Sequence, residues 1–361
     1  MKPAIAAFCA LLFLTGAGAA ETLRIATYNA DLGRKGPGLL LRDILKGEDA
    51  QIAAVQQVIS AAAPDILVLQ GVDYDLGLEA LTALRDAISK DGPDYPYIFA
   101  LRPNSGMATG LDMDGDGHKG GARDKQGYGQ FAGEGGMAIL SRFAIDETGV
   151  RDFSGLLWKE APGALLPEQD GKPFPTPEVQ AVQRLSSVAH WVVPVKIAKD
   201  RRLDLLTFHA TPPVFDGPED RNGRRNHDEI AFWGHYLNGA FGPTPNADFV
   251  VIGDANLDPV DGEGRKQAIL DLLNDPRLQD PKPKRPGRVE NTPGHKGDPL
   301  LDTVDWPLPD PGPMRVDYIL PSAALLVLDS AVYWPENLTN EAETVATASR
   351  HRLVWVDFRL Q

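Results

Sequence analysis

The feature that most constrains this chain is a series of short apolar runs that stop at small polar residues. In the segment 248–259, DFVVIGDANLDP, four apolar residues lead to Gly253, and Asp254 and Asn256 follow two positions apart. Apolar runs of this length are typical of buried strands, and stretches with helical spacing lie between them. The pattern predicts an α/β fold in which two sheets pack face to face and helices lie outside.

The predicted elements fill the chain after its first twenty residues. Strands are predicted at residues 22–29, 64–72, 95–102, 136–142, 186–197, 202–211, 248–257, 315–322, 325–334 and 351–360. Helices are predicted at residues 39–63, 76–89, 224–241 and 263–274. Residues 21–361 are interpreted as one domain with long loop insertions at about 103–136, 155–177 and 281–313, which are rich in glycine or proline.

The first twenty residues have the features of a secretory signal peptide. Lys2 gives a short positive region, residues 4–14 form an apolar run too short to span a bilayer, and residues 17–19 form a small-residue cleavage site. Cys9, the sole cysteine of the chain, lies in this segment, so the mature protein would have no disulfide. We expect a monomer without a membrane anchor, exported to a bacterial periplasm or beyond.

The charge of the chain bears on its substrate. The net charge is −14, whereas proteins that coat nucleic acid are normally basic because their phosphate contacts release counterions. The acidic balance therefore favours a small phosphoester over nucleic acid, although bound metal cations could reverse the repulsion locally. Acidity also keeps an exported protein soluble, and this alternative accounts for most of the charge.

Polar side chains recur where the predicted strands start or stop. These residues are Asn29, Asp31, Asp73, His209, Asp254, Asn256, Asp317 and His351. If the strand ends converge, the side chains form one polar cavity at the rim of a rigid sandwich. The sequence therefore predicts a single active site built from distant parts of the chain.

Such a set suits the attack of water on phosphorus. A histidine held by a carboxylate can take a proton from water, amides can bind phosphate oxygens, and carboxylates can hold a divalent ion that neutralises developing charge. Asp254 would then act on water or metal, and Asn256 would hold phosphate. The alternative is that the Gly-Asp-x-Asn segment forms an Asx turn with a capping role only.

As a set, the motifs resemble those of the endonuclease/exonuclease/phosphatase superfamily, the fold of deoxyribonuclease I. They are TYNAD, PDILVLQGVD, GMAILSR, LLTFHAT, VVIGDANLDP, RVDYIL and SRHRLVWVDF, in the family's order. The resemblance implies a four-layered αββα sandwich of two mixed sheets and metal-dependent cleavage of phosphoesters. It also implies that Asn29 contacts phosphate, that Asp31 lies near the metal, and that His209 stabilises pentacovalent phosphorus.

For the later motifs, the resemblance implies that Asp254 and Asn256 position water and phosphate. It further implies that Asp317 orients His351. The cofactor would be a divalent ion, Mg²⁺ or Ca²⁺.

Two departures from the family pattern put the metal site in question. Gly71 stands where the family has glutamate, and Arg350 stands where it has aspartate. Arg350 is a permanent positive charge that could bind phosphate in place of part of the metal. Asp73 is two residues beyond Gly71 on the same strand face and could supply the missing ligand. The alternative is a weakened or lost metal site.

The segment 112–124, DMDGDGHKGGARD, predicts a separate calcium site. Asp112, Asp114 and Asp116 alternate and a glycine follows, as in the first half of a calcium loop. The twelfth position is Arg123 instead of glutamate, so the segment departs from a regular EF-hand. Calcium would order the surrounding loop; the alternative is a solvated acidic insertion.

Polar residues also cluster before the helix predicted at 224–241. Arg225 and Asn226 are predicted to bind substrate, since arginine forks fit phosphate oxygens. The alternative for this cluster is helix capping and surface ion pairs. The sequence as a whole predicts an exported, metal-dependent phosphomonoesterase or phosphodiesterase. One alternative is an extracellular DNA or RNA endonuclease, and another is a catalytically weakened calcium- or phosphate-binding protein of the same fold.

Overall fold

The protein is described from a computed structural model, over residues 22–359 with the exception of 246, 309, 310, 337 and 338. The predicted signal peptide, residues 1–20, lies outside the described residues. The strands are β1 (Thr22–Asn29), β2 (Ile66–Val72), β3 (Tyr97–Phe99), β4 (Gly136–Ser141), β5 (Ala144–Ile145), β6 (Arg151–Asp152), β7 (Glu168–Gln169), β8 (Lys172–Pro173), β9 (His190–Ala198), β10 (Arg201–His209), β11 (Phe249–Asp254), β12 (Asp317–Pro321), β13 (Leu326–Val332) and β14 (Val354–Arg359). The helices are α1 (Leu39–Lys46), α2 (Ala50–Ala62), α3 (Glu79–Ile88), α4 (Pro177–Val182), α5 (Arg221–Leu237), α6 (Gln267–Leu273) and α7 (Asn340–Ala348).

Most strands belong to two mixed sheets. The first sheet has the order β13-β14-β1-β2-β4-β3, and the second has the order β12-β11-β10-β9-β5, with β6 also paired to β9. The pairs β1–β2 and β10–β11 are parallel, whereas β14 and β12 run antiparallel to β1 and β11. The carboxyl ends of the parallel pairs therefore meet the amino ends of β12 and β14 at one edge of each sheet.

The two sheets pack face to face because their strands are apolar on both sides. In β1, Ile25 packs into the core between the sheets and Ala26 into the core beneath α1, α2, α3 and α7. In β10, Leu205 packs between the sheets and Leu206 packs towards α5 and α6. This alternation has the period of two expected for strands, and it confirms the four-layered αββα sandwich.

The helical stretch predicted at residues 39–63 is two helices. Gly47 adopts a φ of +68° and ends α1, and its N–H donates to Asp43 O and Ile44 O. Asp49 then caps α2 by accepting a hydrogen bond from Ile52 N at 2.9 Å. The apolar periodicity continued across the break, which is why the pattern alone predicted one helix.

The first long loop lies between β3 and β4 of the first sheet, and the other two lie between strands of the second sheet, β6 and β9, and β11 and β12. Residues 103–136 contain one short 3-10 turn, Ala122–Asp124, and the second loop contains the β7–β8 hairpin. The third loop contains a 3-10 turn at Pro299–Leu301. Within the described part of the chain, no helix is long and apolar enough to cross a membrane.

Candidate active site

Three predicted site residues lie side by side across the second sheet. His209 is opposite Asp254 in the parallel pair β10–β11, and Asp254 is opposite Asp317 in the antiparallel pair β11–β12. Asn29 ends β1 in the other sheet, and His351 precedes β14, which pairs with β1. The sheet register thus brings these strand ends from both sheets to one rim.

His351 and Asp317 form a buried pair. Nδ1 of His351 is 3.0 Å from Oδ2 of Asp317 and 3.2 Å from Oδ1. The Thr303 hydroxyl donates to the same Oδ2 at 2.8 Å and accepts the main-chain N–H of Asp317 at 3.0 Å. The carboxylate is therefore fixed from two sides, and it fixes the orientation of the imidazole in turn.

Asp254 lies at the centre of the cluster and is fully buried. Its Oδ1 accepts the main-chain N–H of Asn256 at 2.7 Å, and its Oδ2 accepts Nδ2 of Asn29 at 3.0 Å. Nε2 of His209 lies 3.5 Å from Oδ2, and Nδ1 of His351 lies 3.9 Å from it. The Asx turn considered for this segment is present, and it orients the carboxylate between two imidazoles.

The pKa values of the two histidines move in opposite directions. For His351, burial lowers the pKa, but the charges of Asp317 and Asp254 outweigh burial and raise the pKa to about 9. Burial raises the pKa of Asp317 to about 6, against the opposing effect of His351. For His209, burial lowers the pKa more than Asp254 raises it. Near neutral pH, His351 is thus an imidazolium paired with a carboxylate, and His209 is neutral.

The protonation of His351 gives a direct prediction. In the chelator-treated wild-type protein, we expect its imidazole to titrate near pH 9. Asp317→Asn removes the largest favourable charge while burial remains, so the midpoint should fall by more than one pH unit. Nuclear magnetic resonance titration of the histidine ring signals measures the midpoint in the wild-type protein and in Asp317→Asn. An unchanged midpoint in Asp317→Asn would show that the pair does not set this pKa.

The cluster opens into a cavity of about 700 Å³. Its polar wall consists of Asn29, Asp31, His209, Asn256, Asp258, Glu263, Arg350 and His351. Its apolar wall consists of Pro212, Pro213, Val214, Phe215, Trp306, Pro307, Pro311 and Met314. The exposed Arg350 side chain makes no hydrogen bond or ion pair with any described residue, so its guanidinium is available to an anion in the cavity.

Residues 26–351 of this chain match the family model described as Endonuclease/Exonuclease/phosphatase family. The chain belongs to this family. Its members are hydrolases of phosphoester bonds. A comparison with curated proteins returns no match.

Solved structures of the endonuclease/exonuclease/phosphatase family share the fold at low sequence identity. A protein from Beutenbergia cavernae DSM 12333 is 16% identical with a TM-score of 0.53, and the match covers 94% of this chain and 72% of that one. A family protein from Leptotrichia buccalis C-1013-b is 18% identical with a TM-score of 0.52, over 94% of this chain and 100% of that one. One from Bacteroides thetaiotaomicron is 15% identical with a TM-score of 0.50, over 95% and 99%.

The backbone at Gly71 explains why this chain lacks the family glutamate. Gly71 has a φ of +70° and lies at a register shift between β2 and β4. A Cβ atom there would lie 2.5 Å from Oδ1 of Asn29 and 3.0 Å from the main-chain N of Asp31. A side chain at residue 71 would therefore displace both neighbours. The local backbone accommodates glycine at this position but not the glutamate of the family pattern.

The structure does not bring Asp73, the predicted replacement ligand, into the cavity. Its Oδ1 accepts the N–H of Gly135 at 3.0 Å, and its Oδ2 accepts the N–H of Arg34 at 2.9 Å. Asp73 is buried away from the cavity, and it is not among the residues that line the cavity. The bulge at Gly71 turns the following residues away from the cavity.

The remaining residues fit a divalent ion only in part. Asp31 is exposed in the cavity wall, and its carboxylate makes no hydrogen bond or ion pair with the described residues. Asp254, Asp317 and His351 also bring ligand atoms within 4.8 Å of one another. These atoms already make hydrogen bonds, since Asp317 bonds His351 and Thr303 and Asp254 bonds Asn29 and Asn256. Mg²⁺ is commonly held by one or two carboxylates together with water and substrate phosphate. Asp31 suits that arrangement.

The structure does not bring the predicted substrate-binding residues Arg225 and Asn226 into this cavity. Asn226 is fully buried, and its Nδ2 donates to Thr211 O and Ala255 O at 2.7 and 2.8 Å. The Arg225 guanidinium is buried among main-chain carbonyls. Neither residue lines the cavity that contains His351. Both hold loops that follow the strands of the site.

The three aspartates of the predicted calcium loop do come together. Asp112, Asp114 and Asp116 each offer a carboxylate oxygen within 4.8 Å of the others. Asp112 accepts the N–H of Gly115 at 2.7 Å and the N–H of Gly117 at 2.9 Å. The loop has the turn that the glycine spacing predicted.

The sequence did not indicate two supporting features of the site. Thr303 fixes Asp317, yet it lies in a proline-rich loop with no periodic pattern. The apolar wall comes from residues 212–215 and from Trp306, Pro307, Pro311 and Met314, also in loops. The sequence signal that could have indicated this wall is the prolines of these loops, because proline stiffens a chain that has no secondary structure.

Proposed function

We propose that this chain is an exported hydrolase of small-molecule phosphoesters that acts by attack of water on phosphorus. One observation supports this most strongly: His351, which pairs with the buried Asp317 and lies 3.9 Å from the buried Asp254, lines a cavity whose wall also carries the unpaired Arg350. The arrangement places a carboxylate for water beside a pocket that offers cations for phosphate.

The protonation states divide the roles among the residues. Asp254, fixed by Asn29 and by the N–H of Asn256, takes the proton of the attacking water. The imidazolium of His351 and the guanidinium of Arg350 balance negative charge that develops on the phosphoryl oxygens. The expectation that a histidine takes the proton is thereby revised, because the raised pKa of His351 keeps it protonated.

The second imidazole donates a hydrogen bond. His209 is neutral, and its Nδ1 is buried without a hydrogen-bond partner in the described structure. The ring proton therefore sits on Nε2, which faces Asp254 and the cavity. From there, His209 can donate to an oxygen of pentacovalent phosphorus, while Asn29 and Asn256 hold the phosphate.

The cavity walls favour a small substrate over nucleic acid. Among the described residues of the wall, Arg350 is the one lysine or arginine, and the wall also carries the carboxylates of Asp31, Asp258 and Glu263. A polynucleotide needs a basic track along its backbone. Proline, tryptophan and methionine side chains form much of the rest of the wall and would pack against the alcohol portion of an ester.

A divalent ion, Mg²⁺ or Ca²⁺, is proposed as the cofactor. Asp31 would hold it together with the substrate phosphate, and the ion would supply positive charge to the phosphoryl oxygens. Because the family glutamate and aspartate are replaced by Gly71 and Arg350, we expect the ion to bind more tightly when phosphate is present.

A substrate panel tests the proposed function. Purified protein is assayed with p-nitrophenyl phosphate, bis-p-nitrophenyl phosphate and plasmid DNA, in chelator and then with Mg²⁺ or Ca²⁺. We expect hydrolysis of a small ester that requires the added ion. Cleavage of plasmid alone would favour the endonuclease, and phosphate binding without any hydrolysis would favour the binding protein.

Calcium is proposed to bind the loop of Asp112, Asp114 and Asp116. Burial raises the pKa of Asp114, whereas main-chain N–H groups lower the pKa of Asp112. The three carboxylates offer oxygens within 4.8 Å of one another, and a cation would offset the repulsion between charges so close together. The loop also contacts the active-site wall, because Arg123 donates to the main-chain carbonyl of Phe215. Ordering the loop would thereby order the wall.

We expect calcium to raise the melting temperature by several degrees. An ion that binds only the folded state stabilises it by RT ln(1 + [L]/Kd), which is about 2.7 kcal/mol at a hundredfold excess over Kd. Thermal melts of wild type and Asp114→Ala, in chelator and in millimolar calcium, measure this. Equal shifts in both proteins would place the calcium elsewhere, and no shift in wild type would leave the loop as a solvated insertion.

Export is proposed from residues 1–20 alone. Cleavage near Ala19 or Ala20 would leave a mature chain without cysteine. Intact-mass measurement of protein recovered from the periplasm or the medium tests this. An uncleaved product retained in the cytoplasm would contradict it.

A further inference from the structure

A second cavity adjoins the active-site cavity. Its volume is about 520 Å³, and Pro212 and Phe215 belong to the walls of both cavities. The residues that line it are Met113, Arg123, Lys125, Tyr128, Gln183, Thr211, Pro212, Phe215, Arg221, Asn222 and Arg225. We call it the cationic cavity.

The charged residues that line the cationic cavity are all cations. Arg123, Lys125, Arg221 and Arg225 are present, and no aspartate or glutamate is among the lining residues. This contrasts with the net charge of −14 of the whole chain. It contrasts too with the active-site cavity, where one arginine faces three carboxylates. Cations therefore line this cavity, although Asp114, Asp216 and Glu219 line an adjoining pocket that shares Arg123, Phe215 and Arg221 with it.

Two of these cations are buried and held by neutral groups. Arg225 donates at 2.7–3.1 Å to the main-chain carbonyls of Gln126, Arg184, Leu185 and Ser186. Arg221 donates to the carbonyl of Met113. Carbonyl oxygens fix a guanidinium without cancelling its charge, and a buried charge is unfavourable unless it is paired. The charges of Asp114, Glu219 and Asp216 offset the burial of Arg221 only in part. Burial accordingly lowers the pKa of Arg225 to about 10, although Glu229 opposes it, and burial also lowers the pKa of Arg221.

The other two cations lie closer to the surface. Lys125 Nζ donates to the carbonyl of Gly120 at 3.1 Å, and no carboxylate approaches it within ion-pair distance among the described residues. Arg123 is 3.8 Å from Asp114 and donates to the carbonyl of Phe215. Lys125 thus keeps donors for a ligand, and three of the four cations have no ion-pair partner in the described chain.

Phe215 connects the two cavities. Its side chain is 73% exposed, and its φ is +70°, a conformation that is uncommon for a large residue. A strained and exposed aromatic residue in a site wall indicates a binding surface. The ring provides a flat apolar surface between Arg350 on one side and the cationic cavity on the other.

We propose that the cationic cavity binds a second phosphate group carried by the substrate. This inference rests on the proposed function, since the first phosphate lies in the active-site cavity. The preferred substrate is then a small organic compound with two phosphate groups, whose body crosses the wall at Phe215. Phosphate suits four cations because it offers several acceptor oxygens to arginine and lysine donors.

Phosphate titration tests the cavity without using hydrolysis. Isothermal titration calorimetry of mature wild-type protein in chelator, at low salt, should detect two inorganic phosphate ions per chain. Lys125→Glu should abolish one of them, and Lys125→Gln, which keeps an amide donor, should weaken it at least about tenfold. Lys196→Glu makes the same charge change at an exposed position on β9 and should leave both.

The same measurement with two nucleotides tests whether the second phosphate belongs to the substrate. Adenosine 3′,5′-bisphosphate should bind at least about tenfold more tightly than adenosine 5′-monophosphate, and Lys125→Glu should abolish this preference. One phosphate per wild-type chain, or equal results for Lys125→Glu and Lys196→Glu, would overturn the proposal. Two phosphate ions without a preference for the bisphosphate would overturn its assignment to the substrate. If no ester is hydrolysed in the panel above, only the proposed function fails.

Discussion

His351→Ala and Asp254→Ala each lower the rate of phosphoester hydrolysis by about 10²–10⁴-fold, the range typical of a group that moves a proton or stabilises the transition state. His351 loses the charge that faces phosphate, and Asp254 loses the carboxylate that orients water. Steady-state kinetics on the ester found in the substrate panel measures both effects, and circular dichroism verifies the fold.

Two matched variants control for the loss of a histidine or an aspartate as such. His235→Ala, in the last turn of α5, and Asp271→Ala, exposed on α6, should retain the wild-type rate. If His351→Ala or Asp254→Ala kept near wild-type turnover with an unchanged spectrum, the roles assigned to them would be wrong.

Gly71→Ala should destabilise the protein by about 2–5 kcal/mol. A left-handed φ costs a residue with a Cβ about 1–2 kcal/mol, and overpacking adds about 1–3 kcal/mol. The added Cβ would lie 2.5 Å from Oδ1 of Asn29, so hydrolysis should fall as Asn29 moves away from Asp254. Urea unfolding and the kinetic assay measure the two effects.

Gly163 provides the matched control for Gly71. It has the same φ of +70°, and a Cβ there would meet nothing within 4 Å. Gly163→Ala should therefore destabilise the protein only by the cost of the left-handed φ, about 1–2 kcal/mol. It should leave hydrolysis unchanged. Equal losses of stability for the two variants would show that the contact with Asn29 has no cost.

The fold was predictable because its signals are local and repeated. Strands buried on both faces are continuous apolar runs, and the motifs at their ends keep the family's order. The break between α1 and α2 was not predicted, because the apolar spacing continues through Gly47 and the left-handed turn depends on one residue. Such a turn changes chain direction without changing the periodic pattern.

The candidate site was predictable where it depends on strand ends. Sheet register places His209, Asp254 and Asp317 in a row, and this register follows from the apolar pattern. Asp73 lies outside the cavity because the bulge at Gly71 changes the direction of the strand end, which the period of two does not anticipate. Arg225 lies outside the cavity that contains His351 because it is held by carbonyls from a distant loop.

Attack of water on phosphorus is the central claim, and isotope transfer tests it most directly. Wild-type protein is incubated with the hydrolysed ester in water enriched in ¹⁸O, and the phosphate product is examined by mass spectrometry. The account predicts one ¹⁸O atom in the phosphate group whose ester bond is hydrolysed, and none in the alcohol. Label in the alcohol, or the absence of any hydrolysis by protein that is folded and supplied with Mg²⁺ or Ca²⁺, would contradict it.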